Sequence, residues 1–440
     1  MAKMTKVVRI PLIIEQKDRD GNAVDYTVIC KLLWNLQKQT RIIKNRAVQL
    51  CWEYFNFSSE YYKTHQKSPD AIEVLGYKTV SGYVNYQLKF DNALYSANLS
   101  QTVRMVCTDF KNAKKEMMCG ERSVLSYKAN QPLDLHKNAI KLTEKDGRYF
   151  ADINLINKDT RDQYFFKDTA IHFALYVKDN STRTILNRCM DKDCDYAVCG
   201  SKLIYNQKKR QWFFNLSYDF SLPEKTDLDP KKILGIDLGV SLPAVASVYG
   251  DLRRFTIDSH EIIEFRRRVE ARKKQLQRQG KYCGDGRIGH GVYTRNKPVH
   301  DIRDKIARFR DTANHKYSRV LVDYAVRNGC GTIQMEKLEG ITQEAERFLK
   351  DWSYYDLQTK IQYKAKESGI QVVLINPKYT SQRCSRCGCI SEKNRQTQEQ
   401  FCCIRCGFES NADYNASQNI AIEEIDKIIQ KWYNSHKEEN

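Results

Sequence analysis

Hydrophobic and polar positions change rhythm several times along the chain, and each change marks an element. Apolar residues in the run from Lys6 to Glu15 predict a strand, and the turn-forming string KDRDGN follows it. Leu33, Leu36, Ile43, Ala47 and Leu50 then recur at spacings of three, four and seven with Lys38, Arg41, Lys44 and Arg46 among them, the stripe of an amphipathic helix. A second helical stretch covers roughly Tyr86 to Met118. Alternation returns in RYFADINLIN, DTAIHFALYV and KRQWFFNLSYDF. Residues 1–25 and 126–221 are therefore read as one small β domain, a barrel or sandwich, interrupted by a helical insertion at 26–125. A long loop is expected around Asn187 to Gly200.

The string SLPEKTDLDPKK, with two prolines and mixed charges, marks a linker at 222–231 into a second kind of pattern. KILGIDLG, LPAVASVYG and RRFTIDS read as three short strands joined by tight turns. A basic helix (EIIEFRRRVEARKKQLQRQ), a glycine-rich break from Gly280 to Gly291 that reads as a flexible flap, and another basic helix over roughly Asp301 to Asn328 come next. Two buried-looking strands, GTIQMEKL and IQVVLINP, flank a helix at about Asp356 to Ser368. A cysteine-rich segment and a final helix from about Ala412 to Lys431 end the chain. Antiparallel strands followed by parallel strands alternating with helices give the order of an RNase H-like α/β domain. It spans 232–380 and 412–440 with an insertion at 381–411, so the fold class is α/β multidomain.

Charge narrows the partners. Lys and Arg number 73 against 54 Asp and Glu, a net +19, which suits a polyanion; nucleic acid leads, ahead of a merely soluble basic surface and of an anionic membrane. No run of about 18 apolar residues is present and the start lacks a secretory signal, so no membrane partner and an intracellular location are expected. An odd count of 15 cysteines, six of them between Cys384 and Cys406, points to metal rather than disulfides. Cys189, Cys194 and Cys199 lack ribbon spacing and read as free loop thiols.

In the RNase H-like order the first and fourth strands lie side by side, so Asp237 in ILGIDLG and Glu336 in IQMEKLEG project toward one crevice. Asp413, at the start of the last helix, reaches the same place, although an Asp there serves equally as an ordinary helix cap. Three convergent carboxylates repel one another unless a cation neutralises them, and hard oxygen ligands suit Mg²⁺ or Mn²⁺. Two such ions about 4 Å apart can drive hydrolysis of a phosphodiester. Asp237 would touch both, and Glu336 and Asp413 one each.

Cys384-Ser-Arg-Cys387 and Cys403-Ile-Arg-Cys406 are two CxxC pairs with fifteen residues between them, each followed by glycine. Four thiolates at that spacing predict a structural Zn²⁺ with no open position for catalysis. Cys389 and Cys402 adjoin the expected ligands and leave a register error open. The ribbon also carries Arg383 and Arg395, placed to hold a nucleic-acid strand near the acids. Arg266, Arg267, Arg272 and Lys273 on the first basic helix are expected to meet phosphates, with a solvated charged face as the alternative.

GIDLGVSLPA, QMEKLEG, NPKYTSQRCSRCG and FCCIRCGFESNADYNASQNIA, in that order, resemble the split RuvC nuclease domain and zinc-bearing module of TnpB and the type V CRISPR effectors. LWNLQKQTRIIKNRAVQLCWEYF and the short length are most similar to the miniature type V-F effectors. The resemblance implies a wedge-type β domain (1–25 and 126–221), a helical recognition domain (26–125), and a RuvC centre cutting both strands of DNA with Mg²⁺. It implies a guide RNA and target DNA as partners, a short protein-read motif beside the target, two protein copies on one guide, and the cytoplasm of a prokaryotic cell. The copies would meet along LLWNLQ to CWEYFNF, where helix core is the competing reading. A transposon-encoded TnpB nuclease, a catalytically silent RNA-guided binding protein and a guide-independent resolvase are the alternatives.

Overall fold

The computed structural model describes residues 3–90, 92–222, 227–239, 242–282, 292–337, 354–397 and 399–435. They form two compact units, Lys3–Ser221 and the chain from Leu222 onward.

The first unit runs β1 (Lys3–Ile14), α1 (Tyr26–His65), α2 (Ala71–Leu75), α3 (Val80–Leu88), α4 (Ser96–Met118), β2 (Leu133–Leu135), β3 (Ile140–Lys145), β4 (Arg148–Asn154), α5 (Lys158–Gln163), β5 (Ala170–Leu175), α6 (Asn180–Met190), β6 (Ala197–Val198), β7 (Ser201–Asn206) and β8 (Gln211–Ser221). Its sheet follows the open path β2-β7-β8-β1-β5-β4-β3, with β6 on β8. Strand β1 spans the middle, pairing with β8 over Lys3–Pro11 and with β5 over Leu12–Ile14. Trp212, Phe214 and Leu216 alternate into the core as period two requires. Asp25 caps α1 by accepting from the Thr27 amide at 2.7 Å. The predicted stripe is inside: Leu33, Leu36, Ile43, Ala47 and Leu50 are all buried. The LLWNLQ to CWEYFNF stretch thus turns its apolar stripe into the core and leaves Trp34, Ile42 and Phe57 exposed. A buried ion pair, Lys44 Nζ to Asp134 Oδ2 at 2.7 Å, ties α1 to β2.

Two expectations need correction here. The stretch from Tyr86 to Met118 is not continuous, because Asn92 turns the chain: its side-chain Nδ2 donates to the Leu88 carbonyl and its Oδ1 accepts from the Leu94 backbone amide. Such local bonding competes with helix. The expected loop around Asn187 to Gly200 begins inside α6, which is capped by Asp179 and buries only Thr182 and Leu186. Two buried positions leave too faint a stripe to read.

The second unit runs β9 (Asp229–Asp237), β10 (Ala244–Val248), β11 (Arg254–Ile257), α7 (His260–Tyr282), α8 (Val292–Arg327), β12 (Cys330–Glu336), α9 (Tyr354–Glu367), β13 (Gln371–Ile375), β14 (Gln400–Cys402), β15 (Glu409–Asn411), α10 (Ala412–Ile420) and α11 (Ile425–Ser435). Its five-stranded sheet has the order β11-β10-β9-β12-β13. Strands β9 to β11 are antiparallel, whereas β12 runs parallel to both β9 and β13. The first and fourth strands of this unit are therefore neighbours. The linker is shorter than 222–231, since β9 already begins at Asp229. The final helix is broken before Ile425, where Glu424 takes a left-handed φ of 52°. Most of the glycine-rich break, 283–291, lies outside the described residues.

Candidate active site and metal centres

Asp237 and Glu336 are the last residues of β9 and β12. Parallel pairing continues to Ile236 opposite Met335, so the next residues, the two acids, stand level on one face at the same end of the sheet. Position 235 explains how the third acid arrives. A Cβ built on Gly235 would lie 2.2 Å from the Ser417 carbonyl oxygen and 2.5 Å from the Ala421 nitrogen. Only glycine lets α10 lie this close on β9. Ser417 also meets Ser247, the cross-strand partner of Gly235, at 2.7 Å between hydroxyls. Asp413, one helical turn before Ser417, is thereby carried toward Asp237, two residues along the strand from Gly235.

Asp413 is not the helix cap. Asn411 holds that position and accepts from the Tyr414 amide at 3.0 Å. The Asp413 carboxylate is buried and lies 3.6 Å from the Arg395 guanidinium. Around the acids, the Thr380 hydroxyl donates to Glu336 Oε1, and Gln358 Nε2 donates to the Glu336 carbonyl at 2.7 Å. The Tyr354 hydroxyl donates to the Gly239 carbonyl at 2.6 Å.

Electrostatics fit a cation. Burial pushes the Asp237 carboxyl well above the usual range, the Glu336 and Asp413 charges add to it, and Arg395 opposes. Burial also raises Glu336 against the pull of Thr380 and Arg395, and raises Asp413 against Arg395. Three acids held in a state that disfavours their own charge, all offering hard oxygens, form a donor set that Mg²⁺ or Mn²⁺ would relieve.

The ribbon brings Cys384, Cys387, Cys403 and Cys406 together with all sulfurs within 4.8 Å of one another. Among the described residues no carboxylate trio is gathered as tightly. Cys384 and Cys406 are 3.8 Å apart and Cys387 and Cys403 3.5 Å, near the ~3.8 Å edge of a tetrahedron with 2.3 Å bonds. The two knuckles repeat one design. In each, the first cysteine's amide donates to the carbonyl five residues on, at 2.9 Å, and a glycine with φ of 74° or 67° returns to the first cysteine's carbonyl. Burial pushes the Cys403 thiol up, but hydrogen bonds from the Cys406 and Arg405 amides and from the Cys387 and Cys406 thiols together bring it down to about 6. Cys389 and Cys402 fall outside the group, as do Cys189, Cys194 and Cys199. The ligand chemistry fits Zn²⁺. Purified protein is expected to carry about one zinc per chain, and a Cys384→Ser, Cys403→Ser variant to lose most of it, measured by elemental analysis. Undiminished zinc in the variant would refute these ligands.

The basic residues divide. Arg267, Arg272 and Lys273 are exposed on α7, while Arg266 is half-buried near Tyr354. Arg383 turns inward: its guanidinium donates to Asn419 Oδ1 at 2.8 Å, and it sits under Gly388. One arm of its guanidinium is therefore used inside the protein, which weakens its expected role at a nucleic-acid surface. Sequence reasoning missed Gly235, Thr380 and the buried pair Asn415 and Asn419. Asn415 bonds Arg383 and Ser385, and Asn419 bonds Thr380 and Arg383, fixing α10 to the root of the ribbon. Their signal was the crowding of amides and hydroxyls in NADYNASQNIA, more than a solvent-facing helix needs.

The CRISPR-associated endodeoxyribonuclease Cas12f1 of Sulfoacidibacillus thermotolerans is 44% identical to this chain over 408 residues, 92% of this chain and 96% of the relative. The chain belongs to the Cas12f1 family. The Cas12f1 of Syntrophomonas palmitatica is 39% identical over 356 residues, 73% of this chain and 71% of that one. A family model described as Cas12f1-like, TNB domain, matches residues 354–420, from α9 through the ribbon to the end of α10. A chain solved by cryo-EM in a Cas12f1–sgRNA–target DNA complex superposes with a TM-score of 0.74 at 20% identity, covering 96% of this chain and 99% of that chain. That likeness concerns the fold. The resemblance to miniature type V-F effectors stated from the sequence is borne out at the level of family.

Proposed function

We propose that this Cas12f1 family member is an RNA-guided DNA endonuclease of a CRISPR defence system. It cuts double-stranded DNA beside a short protein-read motif, in one RuvC-like centre made of Asp237, Glu336 and Asp413. The observation that supports this is that Asp237 and Glu336 end neighbouring parallel strands and Asp413 begins the helix laid on them, near enough for the Glu336 and Asp413 charges to push the Asp237 carboxyl up. The 3-2-1-4-5 strand order supports an RNase H-like (RuvC) domain with the ribbon inserted. The β1–β8 sheet with its helical insertion supports the wedge-type and recognition assignments. Identity to Cas12f1 proteins favours the CRISPR reading over the transposon-encoded one.

Asp237, Glu336 and Asp413 would hold the divalent ions, which when bound supply charge neutralisation at the scissile phosphate and the departing 3′ oxygen. The chain's own groups do the positioning. Thr380 orients the Glu336 carboxylate, Gln358 fixes the backbone that carries it, and the glycine contact at 235 sets the distance of Asp413. Arg395 brings positive charge from the ribbon to the acids, where a phosphate would arrive. Arg267, Arg272 and Lys273 are offered as phosphate contacts along a guide–target duplex, whose sequence is read by base pairing. Two copies on one guide RNA remain part of this reading, with Trp34 and Phe57 as exposed candidates on α1.

Guide-loaded protein is expected to linearise a plasmid carrying the matched sequence, to stop when chelated, and to recover with Mg²⁺ or Mn²⁺. Cutting that is indifferent to the guide, or that persists in excess EDTA, would overturn the proposal.

A further inference from the structure

A groove of about 900 Å³ lies between the turn that follows β13 and helix α11. Its walls include two aromatic rings, Tyr379 and Tyr433, and three lysines. Tyr379 packs edge-on to Trp432 with centroids 5.5 Å apart and tilts toward Tyr433 at 6.1 Å; Lys378, Lys427 and Lys431 stand around them. Lys427 is paired with Glu424, while Asp426 accepts the Asn376 amide at 3.0 Å. The aromatics have no mechanism in the account so far, and part of the cluster is open: the Tyr433 ring is 39% exposed.

Two features set this groove apart from routine packing of a terminal helix. Tyr379 holds a left-handed φ of 66°, a conformation that costs a side-chain-bearing residue roughly 1 kcal/mol and that glycine or asparagine would adopt more cheaply. Such strain collects at functional sites. The next residue, Thr380, is the one that hydrogen-bonds the Glu336 carboxylate. The turn that presents the Tyr379 ring therefore also places, one Cα–Cα step of about 3.8 Å away, the residue that orients a ligand of the centre.

We propose that this groove is a stacking site for a nucleobase of single-stranded DNA leading into the cleavage centre. The base would lie on the Tyr433 and Tyr379 rings, and Lys378 and Lys431 would meet the flanking phosphates. The inference rests on the nuclease reading and adds to it a subsite without sequence preference, since every base offers a π face. It also gives α11 a role beyond closing the small core of Ile375, Ile420, Ile425 and Ile429.

Two measurements test it. In single-turnover cutting of guide-matched DNA, Tyr433→Ala is expected to be slower by about 10- to 100-fold and Tyr433→Trp to stay near wild type, as loss of one stacked base dictates. One abasic nucleotide near the cut should slow wild type by a similar factor and leave the already slowed Tyr433→Ala protein nearly unchanged. Wild-type rates in Tyr433→Ala, or equal abasic penalties in both proteins, would overturn the proposal. The second measurement does not require cutting: guide-loaded Asp237→Ala protein is irradiated with target DNA carrying 5-bromodeoxyuridine. Cross-links mapping to Tyr379, Trp432 or Tyr433 support the groove, and cross-links that avoid all three refute it. A wild-type protein that cuts nothing would sink the nuclease reading, and the cross-linking map would still decide the groove.

Discussion

Replacing Asp413 with asparagine is expected to slow guide-programmed DNA cutting by about a thousandfold or more while leaving the helix it sits on intact. The size follows from removing one anionic ligand from a centre whose bound ions supply several kcal/mol of transition-state stabilisation, at about 1.4 kcal/mol per tenfold. The structural innocence follows from capping. Asn411 accepts from the Tyr414 amide, so Asp413 is not needed to begin α10. The complementary variant, Asn411→Ala, should cost stability by about 1 kcal/mol through loss of the cap and slow cutting far less. A fast Asp413→Asn protein, or an Asn411→Ala protein as inactive as Asp413→Asn, would remove Asp413 from the centre and return it to the role of a local helix residue.

The second large effect is expected at a residue with no chemistry of its own. In Gly235→Ala the added methyl would run into the last turn of α10, the Ser417 carbonyl at 2.2 Å and the Ala421 nitrogen at 2.5 Å. Neither can turn away as a flexible side chain would. The helix must lift, at a cost of about 1–3 kcal/mol, and Asp413 lifts with it. Displacing a catalytic group by about 1 Å can cost a hundredfold in rate. A lowered melting temperature together with a loss of cutting of about that size is therefore expected, with guide RNA still bound. Unchanged melting and unchanged cutting would show that α10 does not rest on β9 at this point.

Those two positions also show what could be read from the chain alone. Asp237 and Glu336 were legible because each acid ends an apolar strand, and strand order put those ends together. The ribbon was legible because CxxC spacing encodes a tetrahedron almost directly, and the glycines after each pair mark the left-handed turn. Asp413 was ambiguous, since Asp in the first turn of a helix fits a cap and a ligand equally; that Asn411 takes the cap and leaves Asp413 free of that duty is seen only once the helix start is known. Gly235 sits in a strand, where its missing side chain matters only through a helix 180 residues later in sequence that no local pattern connects to it. Arg383 misled for a related reason: an arginine between a turn and a cysteine knuckle looks solvent-facing until Asn419 is seen beneath it. The break at Asn92 and the helix at Asn180–Met190 escaped because side-chain hydrogen bonds, not hydrophobic rhythm, set those boundaries.

The cysteine ribbon and the acidic cluster are tied together through α10 and Arg395. Asn415 and Asn419 bind backbone at the ribbon's root from the helix that carries Asp413, and Arg395 reaches back from the ribbon to the acids. Loss of zinc is thus expected to act on cutting through the position of that helix and of Arg395.

The most direct test of the central claim compares wild type with Asp237→Ala, both loaded with the same guide RNA, on matched and mismatched duplex DNA in Mg²⁺. The account predicts that wild type cuts only the matched duplex, and that Asp237→Ala binds that duplex with similar affinity and cuts it at less than about a thousandth of the rate. Undiminished cutting by Asp237→Ala, or cutting by wild type that ignores the guide, would contradict it.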